Sequence, residues 1–209
     1  MLWLVATLAD MVANPERRAL VCDAALEVLG RDGARSLTHR AVDAEARLPQ
    51  GTCANYFSSR SALLAGMAER LFVVFAPDGE RLDEIAALPV GDAGPAYVAY
   101  GLERLLERPS LARAWIELRL EAARSAELAE LVGAVVRGGF EANVRFCEER
   151  GLPGGREAVL LLHHLVDGMA LDALTIPMDD GSRREDRIRT AAARILRASP
   201  SFGTGLDGG

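Results

Sequence analysis

A chain of 209 residues, 50% hydrophobic and 26% charged, with a net charge of −6, has the composition of an ordinary globular protein with a sizeable core. That balance excludes a disordered chain and a protein held to nucleic acid by bulk positive charge. Three scattered cysteines, Cys22, Cys53 and Cys147, lack both metal-ligand spacing and a disulfide framework, which points to reduced thiols in a cytoplasmic protein without metal or cofactor.

The first segment, MLWLVATLAD, has no basic n-region and is too short to span a membrane. Residues 1–13 are expected to form a loosely packed or disordered extension, with translation starting at Met1 or at Met11. The first helix begins at Asn14-Pro15, a good N-cap followed by the residue favoured at the first helical position. Its apolar stripe is Ala24, Ala25, Val28 and Leu29, and Asp32-Gly33 ends it. A second helix starts at Thr38, where Leu37 and Val42 form a hydrophobic staple, and runs to about Ala46. Pro49 breaks the chain. A short third helix spans roughly Gln50 to Tyr56, and Ser58 or Ser59 caps a fourth that carries Leu63, Leu64, Met67 and Leu71 on one side.

Pro77-Asp78-Gly79 closes this part, and Leu88 to Pro95 is expected to be a loop. Helical patterns follow at about 95–107, 110–123, 126–150, 156–174 and 183–198, with turns at Gly151 to Gly155 and Pro177 to Ser182. The tail 199–209 is expected to be disordered. The fold class is therefore all-α, with about nine helices. No segment is long and apolar enough to be transmembrane.

Residues 36–60 carry the chemistry. Two short helices joined by a tight turn, with polar residues at the start of the second, have the layout of a helix-turn-helix DNA reader. The N-terminal part of the second helix meets base edges in the major groove. Gln50, Gly51, Thr52 and Asn55 lie there: Gln and Asn pair with adenine, Thr bonds a base or meets a thymine methyl, and Gly permits close backbone approach. Tyr56 reaches toward phosphate with its hydroxyl, while Phe57 packs inward. Thr38 and His39 are assigned to phosphate and Arg40 to phosphate or bases, although Thr38 also reads simply as an N-cap. Arg60 and Arg17 are further phosphate candidates. All 24 basic residues are arginine, whose planar fork suits phosphate and guanine. Between Asn14 and Arg60 seven arginines face six carboxylates, whereas the rest of the chain has 17 against 24. The reader segment is thus the least repelled by phosphate.

The order of residues in this segment resembles the DNA-binding domain of the tetracycline-repressor (TetR) family of bacterial transcriptional regulators. The resemblance runs through Ala24-Ala25, Gly33, Leu37-Thr38, Arg40-Ala41-Val42, Ala44, Ala46, Gly51-Thr52, Asn55-Tyr56-Phe57, Arg60 and Leu63-Leu64. Farther on it extends to VDGMALDALTI at 166–176. Departures are Arg47 where a glycine is frequent, Pro49 where a serine often caps, Cys53 in place of a leucine, and Ala54 where a phosphate-gripping tyrosine is common.

The resemblance implies a helix-turn-helix domain over 14–57 and a helical ligand-binding and dimerisation domain over 58–198, with 58–75 as the connecting helix. It implies a homodimer through 156–198 on a near-palindromic double-stranded operator, released by a small-molecule effector. The apolar residues Val159, Leu160, Leu162, His163, Val166, Met169, Ala170 and Ala173, with Ile188, Ala191, Ala192 and Ile195, would supply the bundle between subunits. Trp115, Arg119, Phe140, His163, His164 and Met169 are effector-pocket candidates, for which core packing is the competing assignment; Arg119 has Glu117 and Glu121 as alternative partners. An enzyme is not expected, since no Ser/His/Asp arrangement, phosphate loop, dinucleotide fingerprint or HExxH motif occurs. The rival reading is a helical small-molecule-binding or interaction protein without specific operator binding.

Overall fold

The computed structural model describes residues 14–198; the expected extension 1–13, with its two possible starts, and the expected disordered tail 199–209 lie outside them. The described residues form ten α-helices: α1 Pro15–Asp32, α2 His39–Glu45, α3 Thr52–Tyr56, α4 Arg60–Val74, α5 Gly79–Ala86, α6 Val90–Glu107, α7 Pro109–Ala122, α8 Ala126–Glu149, α9 Gly155–Leu174 and α10 Arg184–Ala198. No strand occurs among them. None of the described helices is long and apolar enough to cross a membrane.

Local chemistry sets the first boundaries. The Asn14 side chain accepts from Arg17 N at 3.0 Å, Pro15 occupies the first turn, and Gly33 ends α1 at φ 79°. Thr38 Oγ1 accepts from Ala41 N at 3.1 Å and starts α2. Of the two candidate serines, Ser59 caps α4, accepting from Ala62 N at 3.1 Å.

Three expectations change. The third helix starts at Thr52 rather than Gln50, because Gly51 adopts φ 92°, outside the helical region. Asp78 accepts from Glu80 N at 3.0 Å and nucleates the additional helix α5. Of the expected loop over Leu88–Pro95, the part from Val90 onward is instead the start of α6, with Pro95 inside the helix. Pro95 forfeits only the bond to the Gly91 carbonyl, and Gly91 is exposed, so water can serve that oxygen. In exchange Ala93, Gly94, Pro95 and Ala96 are buried.

The chain divides into two compact units. In the first, which holds the described residues through Val74 and the segment Pro109–Val135, α1 is the central helix. Val21, Cys22, Ala24, Ala25, Leu26, Val28, Leu29 and Gly30 are all buried on it, and α2, α4 and α7 pack around it. Gly30 lets α7 come very close: a Cβ there would stand 1.9 Å from the Ser110 carbonyl oxygen. Arg113 Nε donates to Gly30 O at 3.0 Å beside that contact. Burial pushes the Cys22 and Cys53 thiols up to about 11 and about 12. Both are protonated packing groups at neutral pH.

The second unit, Phe75–Arg108 with the described residues from Val136 onward, is built around α6, which packs on α5, α9 and α10. Ile85, Ala93, Ala96 and Leu152 form one cluster, flanked by Tyr97, Tyr100, Phe146 and Cys147. Ala158, Leu162, Ala192 and Leu196 form another between α9 and α10.

Candidate nucleic-acid interface

Helices α2 and α3 sit in the first unit and are joined by Ala46 to Gly51. The turn is built from backbone bonds: Ala46 N to Val42 O at 2.9 Å, Arg47 N to Ala44 O at 3.2 Å and Leu48 N to Asp43 O at 2.9 Å. Arg47 takes φ 54°, the only non-glycine residue in the left-handed region among those described. A residue just beyond a helix C-terminus favours that conformation, and glycine meets it without steric cost.

Thr38, Arg40, Gln50 and Asn55 are exposed on or just ahead of these two helices, and His39 is half-buried at the start of α2. Thr38 accepts an amide hydrogen but keeps its own hydroxyl hydrogen to donate. Gly51 is half-buried and Arg17 is half-buried on the first turn of α1. Ala54 is exposed between Gln50 and Asn55, leaving a small apolar spot on this surface.

Three of the residues assigned to DNA from the sequence are enclosed or bonded within the fold. Thr52 is 2% exposed, and its hydroxyl donates to Pro49 O at 2.6 Å. It has no face to offer a base, and it ties the end of the turn to the start of α3. The Tyr56 hydroxyl oxygen is enclosed and has no hydrogen-bond partner among the described residues, so it does not point toward phosphate. Arg60 donates from Nη1 to Leu37 O at 2.8 Å and from Nη2 to Ala34 O at 2.9 Å, and Nη2 lies 3.5 Å from Glu121 Oε2. Its guanidinium braces the loop ahead of α2. Phe57 packs inward as expected, 3% exposed, with the Arg18 guanidinium 5.0 Å from its ring centroid.

One residue that holds this surface escaped the sequence. Asp43, on α2, is 3% exposed. Its Oδ2 accepts from Gly51 N and its Oδ1 from Cys53 N, each at 2.7 Å. The signal was indirect. A carboxylate follows the buried Val42 on a short helix, and α3 opens on a glycine that has no side chain to cap its own amides.

The sensor candidates separate. In the first unit, Arg119 is exposed and its guanidinium lies 5.9 Å from the Trp115 ring centroid. Glu121, one of its proposed partners, pairs with Arg60 and Arg124. In the second, Phe140 and His163 meet edge to face with centroids 5.6 Å apart. His163 Nε2 lies 3.0 Å from Asn143 Nδ2, and Arg156 stands 4.6 Å over Phe140. Met169 packs on the cluster of Ala99, Leu102, Ala170 and Ile188. His164 is exposed on α9.

Among known proteins, the family model described as the tetracyclin repressor-like C-terminal domain matches residues 92–198. Solved structures extend the likeness over nearly the whole chain. The multidrug binding protein EbrR complexed with ethidium is 26% identical, with 86% of this chain and 98% of that chain covered and a TM-score of 0.61. The same protein complexed with imidazole is 24% identical, covering 91% and 99% with a TM-score of 0.66. A TetR-family member, SCO1917 from Streptomyces coelicolor A3, is 24% identical, covering 87% and 99% with a TM-score of 0.63. Comparison with curated proteins finds no match.

Proposed function

Because the chain belongs to the tetracycline-repressor-like family, we propose that it is a ligand-responsive transcriptional regulator whose first unit reads a near-palindromic operator. The observation that carries the reading is the α2–α3 pair, with Thr38, Arg40, Gln50 and Asn55 exposed on it and its turn fastened from within by Asp43 and Thr52. In this reading residues 14–57 are the reader and 58–198 the sensing and dimerising part. Gln50 and Asn55 contact base edges, Arg40 contacts a base or phosphate, and Thr38, His39 and Arg17 position the backbone.

The regulator acts as a repressor that a small molecule releases. Release requires the effector to bind the DNA-incompetent arrangement more tightly, and reciprocity then weakens operator binding. The solved complexes of EbrR with ethidium and imidazole support a small organic effector. Trp115, Phe140, His163 and Met169 remain the sensor candidates.

One reader spans only a few base pairs, so specific affinity calls for a homodimer. Leu160, Leu161, His164, Gly168 and Leu171 form an exposed stripe along α9 that fits a subunit interface. Val159, Leu162, Ile188 and Ala192, expected in that interface from the sequence, are buried within the single chain.

The test selects duplex fragments with the purified protein and compares the operator with random DNA at fixed salt. We expect a two-fold symmetric footprint, and a loss of about tenfold or more in operator affinity for Arg40→Ala and for Asn55→Ala. Uniform weak binding to every sequence would favour the rival reading, a ligand-binding protein without operator recognition. Unchanged affinity in both variants would remove the assigned reading surface.

A further inference from the structure

We infer that Asp43 is a positioning residue for sequence readout, which aims α3 without touching DNA; this rests on the DNA-binding reading above. Helix α3 has five residues, far too few to hold a helical conformation without tertiary support. Its N-cap, Gly51, has no side chain with which to satisfy the first amides. Asp43 supplies that missing group from the preceding helix, one carboxylate oxygen to Gly51 N and the other to Cys53 N, both at 2.7 Å. Its own carbonyl accepts from Leu48 N at 2.9 Å. A single residue therefore fastens the turn by its main chain and the next helix by its side chain.

Two consequences follow for readout. A bidentate attachment restrains both the tilt of α3 and its rotation about its own axis. Rotation decides whether Asn55 meets a base edge squarely, and such contacts weaken steeply with angle. The amides of Gly51 and Cys53 are also already filled by a full negative charge. Phosphate is therefore kept from that end of α3, and contact with the DNA backbone falls to side chains such as Thr38, His39 and Arg40. The buried charge is tolerated because both of its oxygens receive charge-assisted hydrogen bonds.

The experiment uses the full chain with Asp43→Ala and Asp43→Asn. Asn preserves shape and one acceptor but turns an NH2 group toward a backbone N–H. Affinities for the selected operator and for a random-sequence duplex are measured at one salt concentration. Amide hydrogen exchange is followed at Gly51, Cys53 and along α1. The expected result is a fall of about tenfold or more in the operator-to-random ratio for the Ala variant, less for Asn, with random-sequence affinity held within about twofold. Exchange at Gly51 and Cys53 should accelerate while α1 stays protected. A folded Ala variant that keeps its ratio within about twofold overturns the inference, and the Asn variant decides by the same criterion if Ala does not fold. A parallel loss of both affinities also overturns it, marking Asp43 as merely structural. If the wild-type chain shows no operator preference, the DNA-binding reading fails and this role fails with it. A discriminating wild type with equally discriminating variants sinks only the role of Asp43.

Discussion

Arg47 occupies the turn between α2 and α3 at φ 54°, a conformation that costs an L-residue roughly 1–2 kcal/mol. Glycine would remove that strain but would also gain freedom in the unfolded chain. Arg47→Gly is therefore expected to stabilise the protein by about 0.5–1 kcal/mol, read as a raised urea midpoint at unchanged m-value. A lowered midpoint would mean that the Arg47 side chain contributes more than its backbone costs. Around this turn, side chains that look from the sequence like DNA contacts serve the fold. Thr52 bonds the Pro49 carbonyl and Arg60 bonds those of Ala34 and Leu37. In the proposed function these groups matter to readout because they fix what the exposed neighbours present.

Between elements, the contact that most constrains the first unit is α1 against α7. Gly30 faces the backbone of Ser110, not the tip of a flexible side chain, so an added methyl cannot be accommodated by a rotamer change. Gly30→Ala must push the two helices apart, and overpacking of this kind costs about 1–3 kcal/mol. We expect a destabilisation near the upper end of that range, measured by thermal or urea unfolding. A change below about 0.5 kcal/mol would show that α7 is free to shift. The same unit ties α7 to α1 and to the start of α4 by polar contacts, Arg113 to Gly30 O and Glu121 to Arg60. Displacement of α7 would therefore reach the loop that precedes α2.

For the whole molecule, a net charge of −6 means that long-range attraction to DNA is weak, so the proposed operator binding would rest on fitted contacts made twice. The exposed stripe on α9 is the surface proposed to bring two readers together. Leu160→Glu combined with Leu171→Glu should raise the dimer dissociation constant by about a hundredfold or more, seen in sedimentation as a shift to monomer, with operator affinity falling in step. A double variant that remains dimeric would place the subunit interface elsewhere.

The sequence by itself determined the all-helical fold, the caps at Asn14 and Thr38, the end of α1 at Gly33 and the presence of a short helix ending at Tyr56. Those features depend on proline, glycine, capping side chains and helical periodicity, all of which act within a few residues. Helix α5 and the early start of α6 were not legible, because a proline and several glycines there read as loop until burial of Ala93 to Ala96 outweighs one lost hydrogen bond. At the candidate site, Thr38, Arg40, Gln50 and Asn55 are exposed, and their assignment to DNA is the proposal made above. Tertiary structure alone decided that Thr52 and the Tyr56 hydroxyl turn inward, that Arg60 reaches back 23 and 26 positions, and that Asp43 caps a helix 8 and 10 positions ahead. A polar side chain is the same letter whether it faces solvent, DNA or an unsatisfied backbone amide. Which one it meets depends on where the fold leaves a buried donor or acceptor needing a partner.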